Sequence, residues 1–137
     1  MKEFKTKRKI EFVDTDMEGI VHFARYLVYM ETAEHEFLEA LGVSVAMEHE
    51  GQRIGWPRVS VSCDYKAPAR FGDTLDIHMR VLTKGASSMT YAFDFLNDGQ
   101  EVATGRVTSV CCAIDDGKLR PIKIPAIIAD QIEVSPA

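Results

Sequence analysis

The sequence is poor in cysteine, and the three cysteines it has form no recognisable motif. Cys63, Cys111 and Cys112 are odd in number, and none belongs to a C-x-x-C pair. This number and spacing support neither a disulfide framework nor a zinc site. Each cysteine lies within an apolar strand pattern, so we expect small buried core residues in a reducing compartment.

The sequence also lacks long apolar runs and any concentration of positive charge. No apolar run approaches the roughly 18 residues of a membrane-spanning helix, and charges interrupt the N-terminal region where a signal peptide needs an apolar stretch. The net charge is -5, and apart from Lys5–Lys9 the basic residues are scattered, which excludes a broad positive surface for nucleic acid. We therefore expect a cytoplasmic protein without a nucleic-acid partner or membrane insertion.

What is present is the composition of an ordinary globular protein. Apolar residues make up 46% of the 137 residues and charged residues 27%, close to the average for soluble domains. A chain of this length buries roughly two-thirds of the surface that its unfolded form exposes. We predict a single domain over residues 1–137.

One stretch has the periodicity of a long amphipathic helix. Between residues 26 and 41, apolar side chains recur with the i, i+3, i+4, i+7 spacing of one helix face: Tyr26, Leu27, Met30, Ala33, Phe37, Leu38 and Leu41. Gly42 is a natural end for this helix, because glycine accepts the left-handed conformation that follows a last turn. The short stretch 43–50 allows one or two further helical turns before Gly51.

In the rest of the chain, apolar and polar residues alternate with a period of two, which predicts strands separated by turns. Strands are predicted at residues 5–13, 58–66, 74–81, 89–96 and 101–114, and a short helix is possible in the tail, 121–132. The order strand, long helix and four antiparallel strands predicts an α+β domain. One helix leaves much of such a sheet exposed, so we expect a homo-oligomer.

The connection between the first strand and the helix holds the densest group of polar residues. Residues 12–26 contain three carboxylates, a glycine and a histidine. Polar residues on a connection between two rigid elements are well placed to carry chemistry. We therefore interpret this connection as the candidate active site.

The motif Asp14-Thr15-Asp16-x-x-Gly19-Ile20-Val21-x-x-x-x-Tyr26, together with the stretch from Tyr65 to Leu75, resembles hotdog-fold thioesterases of the 4-hydroxybenzoyl-CoA thioesterase type. The resemblance covers residues 4–125. It implies a curved antiparallel sheet of about five strands wrapped around one long helix, assembled as a dimer or tetramer with active sites at the subunit interface. The implied reaction is hydrolysis of an aliphatic or aromatic acyl-CoA to acid and CoA.

The resemblance also assigns roles to individual residues of the connection. Asp16, the second aspartate of the motif, falls on the catalytic carboxylate, and the backbone N–H of Phe23 falls on the group that polarises the thioester carbonyl. A thiolate leaving group has a pKa of about 8.5, if a cysteine thiol is the guide, and departs without protonation. A carboxylate beside a helix N-terminus therefore supplies what the reaction needs. Whether Asp16 acts as nucleophile or general base stays open.

Two further residues of the connection, His22 and Asp14, lie near Asp16 in the sequence. Many acyl-CoA members of the superfamily carry a histidine at the place of Phe23, whereas this chain has His22, one residue earlier. His22 is either catalytic, orienting the substrate or Asp16, or a loop residue bonded to the backbone. Asp14 is interpreted as a turn residue whose carboxylate bonds to nearby backbone.

The acyl and CoA parts of the substrate need further contacts. The acyl pocket and its surroundings are predicted to involve Gly19, Tyr26, Tyr29, Met30, Glu31, Gly55 and Trp56, with Glu31 able to meet a hydroxylated acyl group. The CoA phosphates need a cation near a turn, for which we select Lys84, Gly85, Ser87 and Ser88. No metal or redox cofactor is expected, since coenzyme A enters as part of the substrate.

Other readings of the sequence stay open. The hotdog scaffold also resembles acyl-thioester dehydratases, which use a histidine as their central base and lack the Asp-Thr-Asp-x-x-Gly pattern, and a non-catalytic acyl-CoA-binding protein is a third possibility. A calcium loop matches at Asp14, Asp16, Glu18 and Gly19. Its twelfth position is Arg25 where calcium needs a bidentate glutamate, so calcium is disfavoured.

Overall fold

The computed structural model describes residues 1–136 as one main sheet, one long helix and a smaller second sheet. The strands are β1 (Glu3–Lys9), β2 (Met47–His49), β3 (Gln52–Gly55), β4 (Arg58–Tyr65), β5 (Thr74–Lys84), β6 (Ser88–Asn97), β7 (Gln100–Val110), β8 (Cys112–Asp115) and β9 (Lys118–Pro121). The helices are α1 (Arg25–Ala40) and α2 (Ala126–Ala129). None of the helices within residues 1–136 is long and apolar enough to cross a membrane.

The main sheet has five antiparallel strands in the order β1-β5-β6-β7-β4. The predicted sheet of about five strands around one long helix is therefore confirmed. The pairings of β4 with β7, β5 with β6 and β6 with β7 each contain a register shift, and such bulges bend a sheet. The curvature lets the sheet close around α1.

Helix α1 packs against the concave face of this sheet through its predicted apolar stripe. Its buried residues include Tyr26, Met30, Ala33 and Phe37. The helix lies close to β7 at Gly105, where an added Cβ would lie 2.4 Å from the sulfur of Met30. A glycine at this position therefore sets how near the helix lies to the sheet.

The N-terminal part of the predicted first strand is correct and the C-terminal part is wrong. β1 ends at Lys9, and residues 12–14 form a 3-10 turn instead. The cause is local: the Glu11 N–H donates to the carboxylate of Asp14 at 3.0 Å, which closes the chain into a turn.

A second sheet, in the order β2-β3-β8-β9, was not predicted from the sequence. Residues 43–50 are not helical, because Glu50 and Gly51 both have positive φ and turn β2 back onto β3 as a hairpin. The predicted strand 101–114 is two strands, since the chain leaves the main sheet at Cys111 and continues as β8 in the second sheet. The short helix α2 confirms the prediction for the tail.

Strand β4 lies at one edge of the main sheet. Among the described residues it pairs with β7 alone, so one row of its backbone N–H and C=O groups is unpaired. Val59 and Val61 in this strand are 64% and 50% exposed. An exposed apolar edge strand is a ready surface for strand pairing with another chain.

Candidate active site

The connection between β1 and α1 is a tight, internally bonded loop. Thr15 bridges to Val21, and the Asp16 N–H donates to the Ile20 carbonyl at 2.9 Å. Gly19 has φ +78°, a conformation that glycine adopts without strain. The motif's glycine therefore has a conformational role, which is to turn the loop beneath Asp16.

Asp16 is half-buried at the wall of an open cavity of about 490 Å³. Its Oδ1 accepts a hydrogen bond from the Glu18 N–H at 2.9 Å, while Oδ2 has no hydrogen-bond partner among residues 1–136. This Asp16 cavity is lined by Asp16, Ile20, Val21, Phe23, Tyr26, Tyr65, Lys66, Ala67, Pro68 and Ala69. One carboxylate oxygen is fixed and the other is available to a ligand.

Asp14 is buried beneath the loop and holds it to the helix. Its Oδ1 accepts a hydrogen bond from Nε of Arg25 at 2.8 Å and lies 2.6 Å from Nη2 of the same guanidinium. Its Oδ2 accepts a hydrogen bond from the backbone N–H of Glu11. Burial would raise the pKa of Asp14, but the Glu11 N–H, the Tyr29 hydroxyl and the Arg25 guanidinium together hold that pKa below its ordinary value. Asp14 is thus a turn residue, as interpreted from the sequence, with Arg25 as an additional partner.

The backbone N–H of Phe23 is unpaired just before the first turn of α1. Within the described part of the chain it donates no hydrogen bond, although its neighbour Ala24 donates to Nδ1 of His22 at 3.2 Å. The carbonyl of Phe23 accepts a hydrogen bond from the Tyr65 hydroxyl at 2.9 Å. Burial, with a smaller effect of the Cys63 thiol, raises the pKa of Tyr65 to about 12, so this hydroxyl stays protonated. Phe23 is therefore held through its carbonyl, in the peptide that leads into α1, while its N–H, in the preceding peptide, is open.

His22 is tied to the loop. Its N–H donates to the Asp14 carbonyl at 2.8 Å, and its ring stacks on the ring of Phe23 with centroids 4.7 Å apart. Because Nδ1 accepts the Ala24 N–H, a neutral ring carries its proton on Nε2. The described lining of the Asp16 cavity does not include His22; its catalytic role stays a prediction.

A second hollow lies between α1 and the edge strand. This α1–β4 groove, of about 250 Å³, is lined by Leu27, Val28, Glu31, Glu34, Arg58, Val61 and Val107. Glu31 is exposed at this groove, and its contact with the acyl group stays a prediction. Glu34 and Arg58 face each other across it, with Oε2 of Glu34 3.0 Å from Nη2 of Arg58.

The other predicted acyl-pocket residues are divided between the cavity wall and the core. Tyr26 is buried and lines the Asp16 cavity. Tyr29, Met30 and Trp56 are buried in the core. Gly55 ends β3, where it pairs with Cys112. Asp16, Phe23 and Tyr26 thus line one cavity. Gly19 lies in the loop outside its described lining, as do Tyr29, Met30, Gly55 and Trp56, so the substrate contacts of these five residues stay predictions.

The predicted CoA-binding group lies in a different part of the fold. Lys84 ends β5, and its ammonium group donates to the carbonyls of Ala129 at 2.8 Å and Ile132 at 3.2 Å. These contacts attach the C-terminal segment to the sheet. None of the residues 84–88 lines the described Asp16 cavity, so their contact with CoA stays a prediction.

Sequence reasoning missed the far wall of the cavity and the charged pair in the groove. Tyr65 is the last residue of β4 and Lys66 follows it; the motif from Tyr65 to Leu75 was a signal that could have placed both at the cavity. For Glu34 and Arg58 the sequence gives no signal, because the two residues come from a helix and a strand far apart in the chain.

Three kinds of comparison connect this chain to known proteins. Residues 10–132 match the profile of the thioesterase-like superfamily. The sequence is 31% identical to a 1,4-dihydroxy-2-naphthoyl-CoA hydrolase of Synechococcus sp. (strain CC9605), covering 93% of this chain and 88% of the relative. It is 25% identical to the acyl-CoA thioesterase YbgC of Haemophilus influenzae, covering 85% of each.

Solved structures of other proteins superimpose on this chain over most of its length. A gentisyl-coenzyme A thioesterase superimposes with a TM-score of 0.84 at 27% identity, covering 95% of this chain and all (100%) of that one. A 1,4-dihydroxy-2-naphthoyl-CoA thioesterase from Synechocystis gives a TM-score of 0.82 over 93% of this chain and 96% of that one, at 23% identity. The hotdog fold inferred from the sequence is confirmed by these matches.

Proposed function

Because the chain belongs to the thioesterase-like superfamily, we propose that it hydrolyses an acyl-CoA thioester to a free acid and CoA, with Asp16 as the catalytic carboxylate. The observation that carries this proposal is the arrangement at one cavity. The available oxygen of Asp16 and the unpaired N–H of Phe23 belong to residues of the same cavity wall. A hydrolase of thioesters needs these two groups and little else.

The reaction follows from what each group does. The thioester carbonyl oxygen accepts a hydrogen bond from the Phe23 N–H, which stabilises the negative charge that develops there; one such donor contributes about 2.7–4 kcal/mol to transition-state stabilisation. Asp16 either takes a proton from the attacking water or attacks the carbonyl carbon itself, giving an anhydride that water then hydrolyses. In both routes the C–S bond breaks, CoA leaves as its thiolate and one water is consumed. We propose that no metal or redox cofactor takes part.

The substrate is proposed to be an aromatic acyl-CoA that carries a hydroxyl group. Two similar proteins are named for 1,4-dihydroxy-2-naphthoyl-CoA and gentisyl-coenzyme A. Aromatic residues, Tyr26 and Tyr65, form part of the Asp16 cavity wall, and edge-to-face contact with a substrate ring is favourable. Aliphatic acyl groups are the alternative that a substrate panel tests.

The active form is proposed to be a homo-oligomer in which β4 pairs with β4 of a second copy. The unpaired edge and the exposed valines of β4 support this assembly. Antiparallel pairing of a strand with its own copy satisfies two-fold symmetry. Size-exclusion chromatography with light scattering measures the oligomeric state directly.

The test of the catalytic proposal is free-thiol release from a panel of aliphatic and aromatic acyl-CoAs. Wild type, Asp16→Asn and Glu18→Gln are compared, the last being a matched loss of one carboxylate in the same turn. We expect turnover for wild type and Glu18→Gln, and a rate at least a thousandfold lower for Asp16→Asn, with CoA binding kept. An Asp16→Asn protein that retains wild-type turnover would refute the role of Asp16. CoA binding without turnover in all three would favour a binding protein instead.

A further inference from the structure

Two phenylalanine side chains near the Asp16 cavity are exposed and touch each other. Phe12 is 77% exposed and Phe71 is 64% exposed. Their ring centroids lie 6.2 Å apart, and the two ring planes meet at 78°. Phenylalanine is ordinarily a core residue, and adjoining exposed apolar side chains mark candidate binding surfaces. This Phe12–Phe71 pair therefore has ring surfaces to offer to a ligand.

The pair is held beside the wall of the cavity by the backbone. The Ile10 N–H donates to the Asp73 carbonyl at 2.9 Å, and the Gly72 N–H donates to the Ile10 carbonyl at 3.1 Å. These bonds join the loop that carries one ring to the loop that carries the other. Ala69 belongs to the cavity wall, and its Cα lies at most about 7.6 Å from that of Phe71, because consecutive Cα atoms are 3.8 Å apart. The aromatic pair is thus a near neighbour of the cavity.

Two cationic residues accompany the aromatic pair on the same two loops. Arg70 and Lys9 are exposed, and neither side chain forms an ion pair or hydrogen bond within residues 1–136. The carboxylate of Asp73 accepts hydrogen bonds from the Arg70 N–H at 2.9 Å and from Asn97 at 3.0 Å, and Glu11 is exposed. Because the two carboxylates balance the two cations, an anion is attracted here by direct contact with a guanidinium and not by a general positive field.

The Asp16 cavity itself has little to offer the nucleotide half of coenzyme A. Its described lining includes two charged residues, Asp16 and Lys66, and the Lys66 ammonium group already donates to Glu101 at 2.5 Å. A cavity of about 490 Å³ has the size of a site for one small organic group, such as the acyl part of the substrate. The adenine and phosphates of coenzyme A are joined to the thioester by the long, flexible pantetheine arm. They need a flat apolar surface and a cation outside the cavity.

We infer that the adenine ring of coenzyme A stacks on the Phe12–Phe71 pair and that Arg70 contacts a phosphate of the same nucleotide. Two rings at 78° form a corner, in which a flat base lies on one ring and meets the other edge to face. A guanidinium binds phosphate through two parallel N–H groups. The inference rests on the proposed function and adds a nucleotide subsite to it. This subsite differs from the group predicted at residues 84–88, whose lysine donates to carbonyls of the C-terminal segment.

The first experiment compares two substrates with the same thioester, 4-hydroxybenzoyl-CoA and 4-hydroxybenzoyl-pantetheine, of which the second lacks the nucleotide. Phe71→Ala should lower kcat/KM for the CoA ester about fivefold to a hundredfold, the range for one base–aromatic contact, and it should do so through KM. The pantetheine ester should change by less than about twofold. Phe71→Trp keeps a ring and should restore the CoA ester. Leu119→Ala, which removes an exposed apolar side chain from β9, is the matched control and should change neither substrate.

Equal losses on both substrates, or no loss on the CoA ester, would overturn the inference. Light scattering identifies the cause of equal losses, since a variant that becomes monomeric would show that the pair is a contact between subunits. Phe12→Ala is measured alongside, so that the result does not depend on the folding of one variant.

The second experiment measures the nucleotide alone, as inhibition of 4-hydroxybenzoyl-CoA hydrolysis by adenosine 3′,5′-bisphosphate. Its inhibition constant should rise at least about fivefold in Phe12→Ala and in Arg70→Met. A nucleotide that does not inhibit wild type, or a rise confined to Lys84→Met, would overturn the inference. A wild type that releases no thiol from any acyl-CoA or from the pantetheine ester would instead overturn the proposed function on which the inference rests.

Discussion

The Asp14–Arg25 ion pair allows a quantitative prediction, because it joins the loop that carries Asp16 to the first turn of α1. Replacing Asp14 by Asn keeps the shape of the side chain but leaves Arg25 without its counter-charge. Breaking a fully buried ion pair costs about 3–5 kcal/mol. Arg25 keeps 36% of its side-chain exposure, so water can solvate it in part, and we expect a loss of about 2–3 kcal/mol in the free energy of unfolding.

That loss should depend on pH in a defined direction. The pKa of Asp14 is lowered by folding, so its stabilisation is complete above its ordinary value of 3.8 and is lost as the pH falls through the folded-state pKa. Urea unfolding of wild type and Asp14→Asn at pH 7 and near pH 3 measures this. The difference between the two proteins should shrink at the lower pH.

Two controls make the prediction refutable. Arg25→Met and the double variant complete a mutant cycle, and the coupling energy should be about 1.5–3 kcal/mol at pH 7. Asp16→Asn removes a carboxylate two residues away whose only described hydrogen bond is to the Glu18 N–H, and it should cost less than about 1 kcal/mol. A pH-independent difference for Asp14→Asn, or a cycle without coupling, would refute the reasoning.

Three further predictions concern packing, assembly and catalysis. Gly105→Ala places a Cβ 2.4 Å from the Met30 sulfur and should lower the free energy of unfolding by about 1–3 kcal/mol, measured by urea unfolding; equal stability to wild type would contradict this. Met30→Ala is destabilising on its own because Met30 is buried, but the further loss caused by Gly105→Ala should be smaller in that background. Val61→Lys puts a charge on the exposed edge of β4 and should shift the protein to monomer by light scattering, whereas an unchanged oligomer would exclude β4 as the interface. Tyr65→Phe removes the hydrogen bond to the Phe23 carbonyl and should lower kcat about threefold to tenfold with little change in stability; an unchanged kcat would show that the peptide needs no such support.

The sequence predicted the parts of the fold that depend on local pattern. The amphipathic stripe predicted the helix at 26–41, against Arg25–Ala40 in the structure, because burial of one helix face is a property of spacing alone. The alternation in β5 and β6 was equally clear. Periodicity gave the wrong structure in two places. At residues 43–50 the geometry of a hairpin decides the structure, and at Cys111 the chain passes from one sheet to the other. Neither feature has a periodic signature in the sequence.

The residues of the candidate site also fall into two groups, those that a local sequence motif identifies and those that only the packing brings together. Asp16, Gly19 and Phe23 lie close together in the sequence, so one local stretch of the chain points to all three. The Tyr65 hydroxyl on the Phe23 carbonyl and the Glu34–Arg58 contact depend on side chains from separate elements. Such pairs become visible only when the packing of α1 against the sheet is known.

The open edge of β4 also has a consequence for the behaviour of the protein in dilute solution. With the proposed pairing of β4 as the active form, enzyme activity per milligram should fall on dilution below the dimer dissociation constant, and the melting temperature should fall with it. Assays at nanomolar and micromolar protein would then report different specific activities for the same preparation.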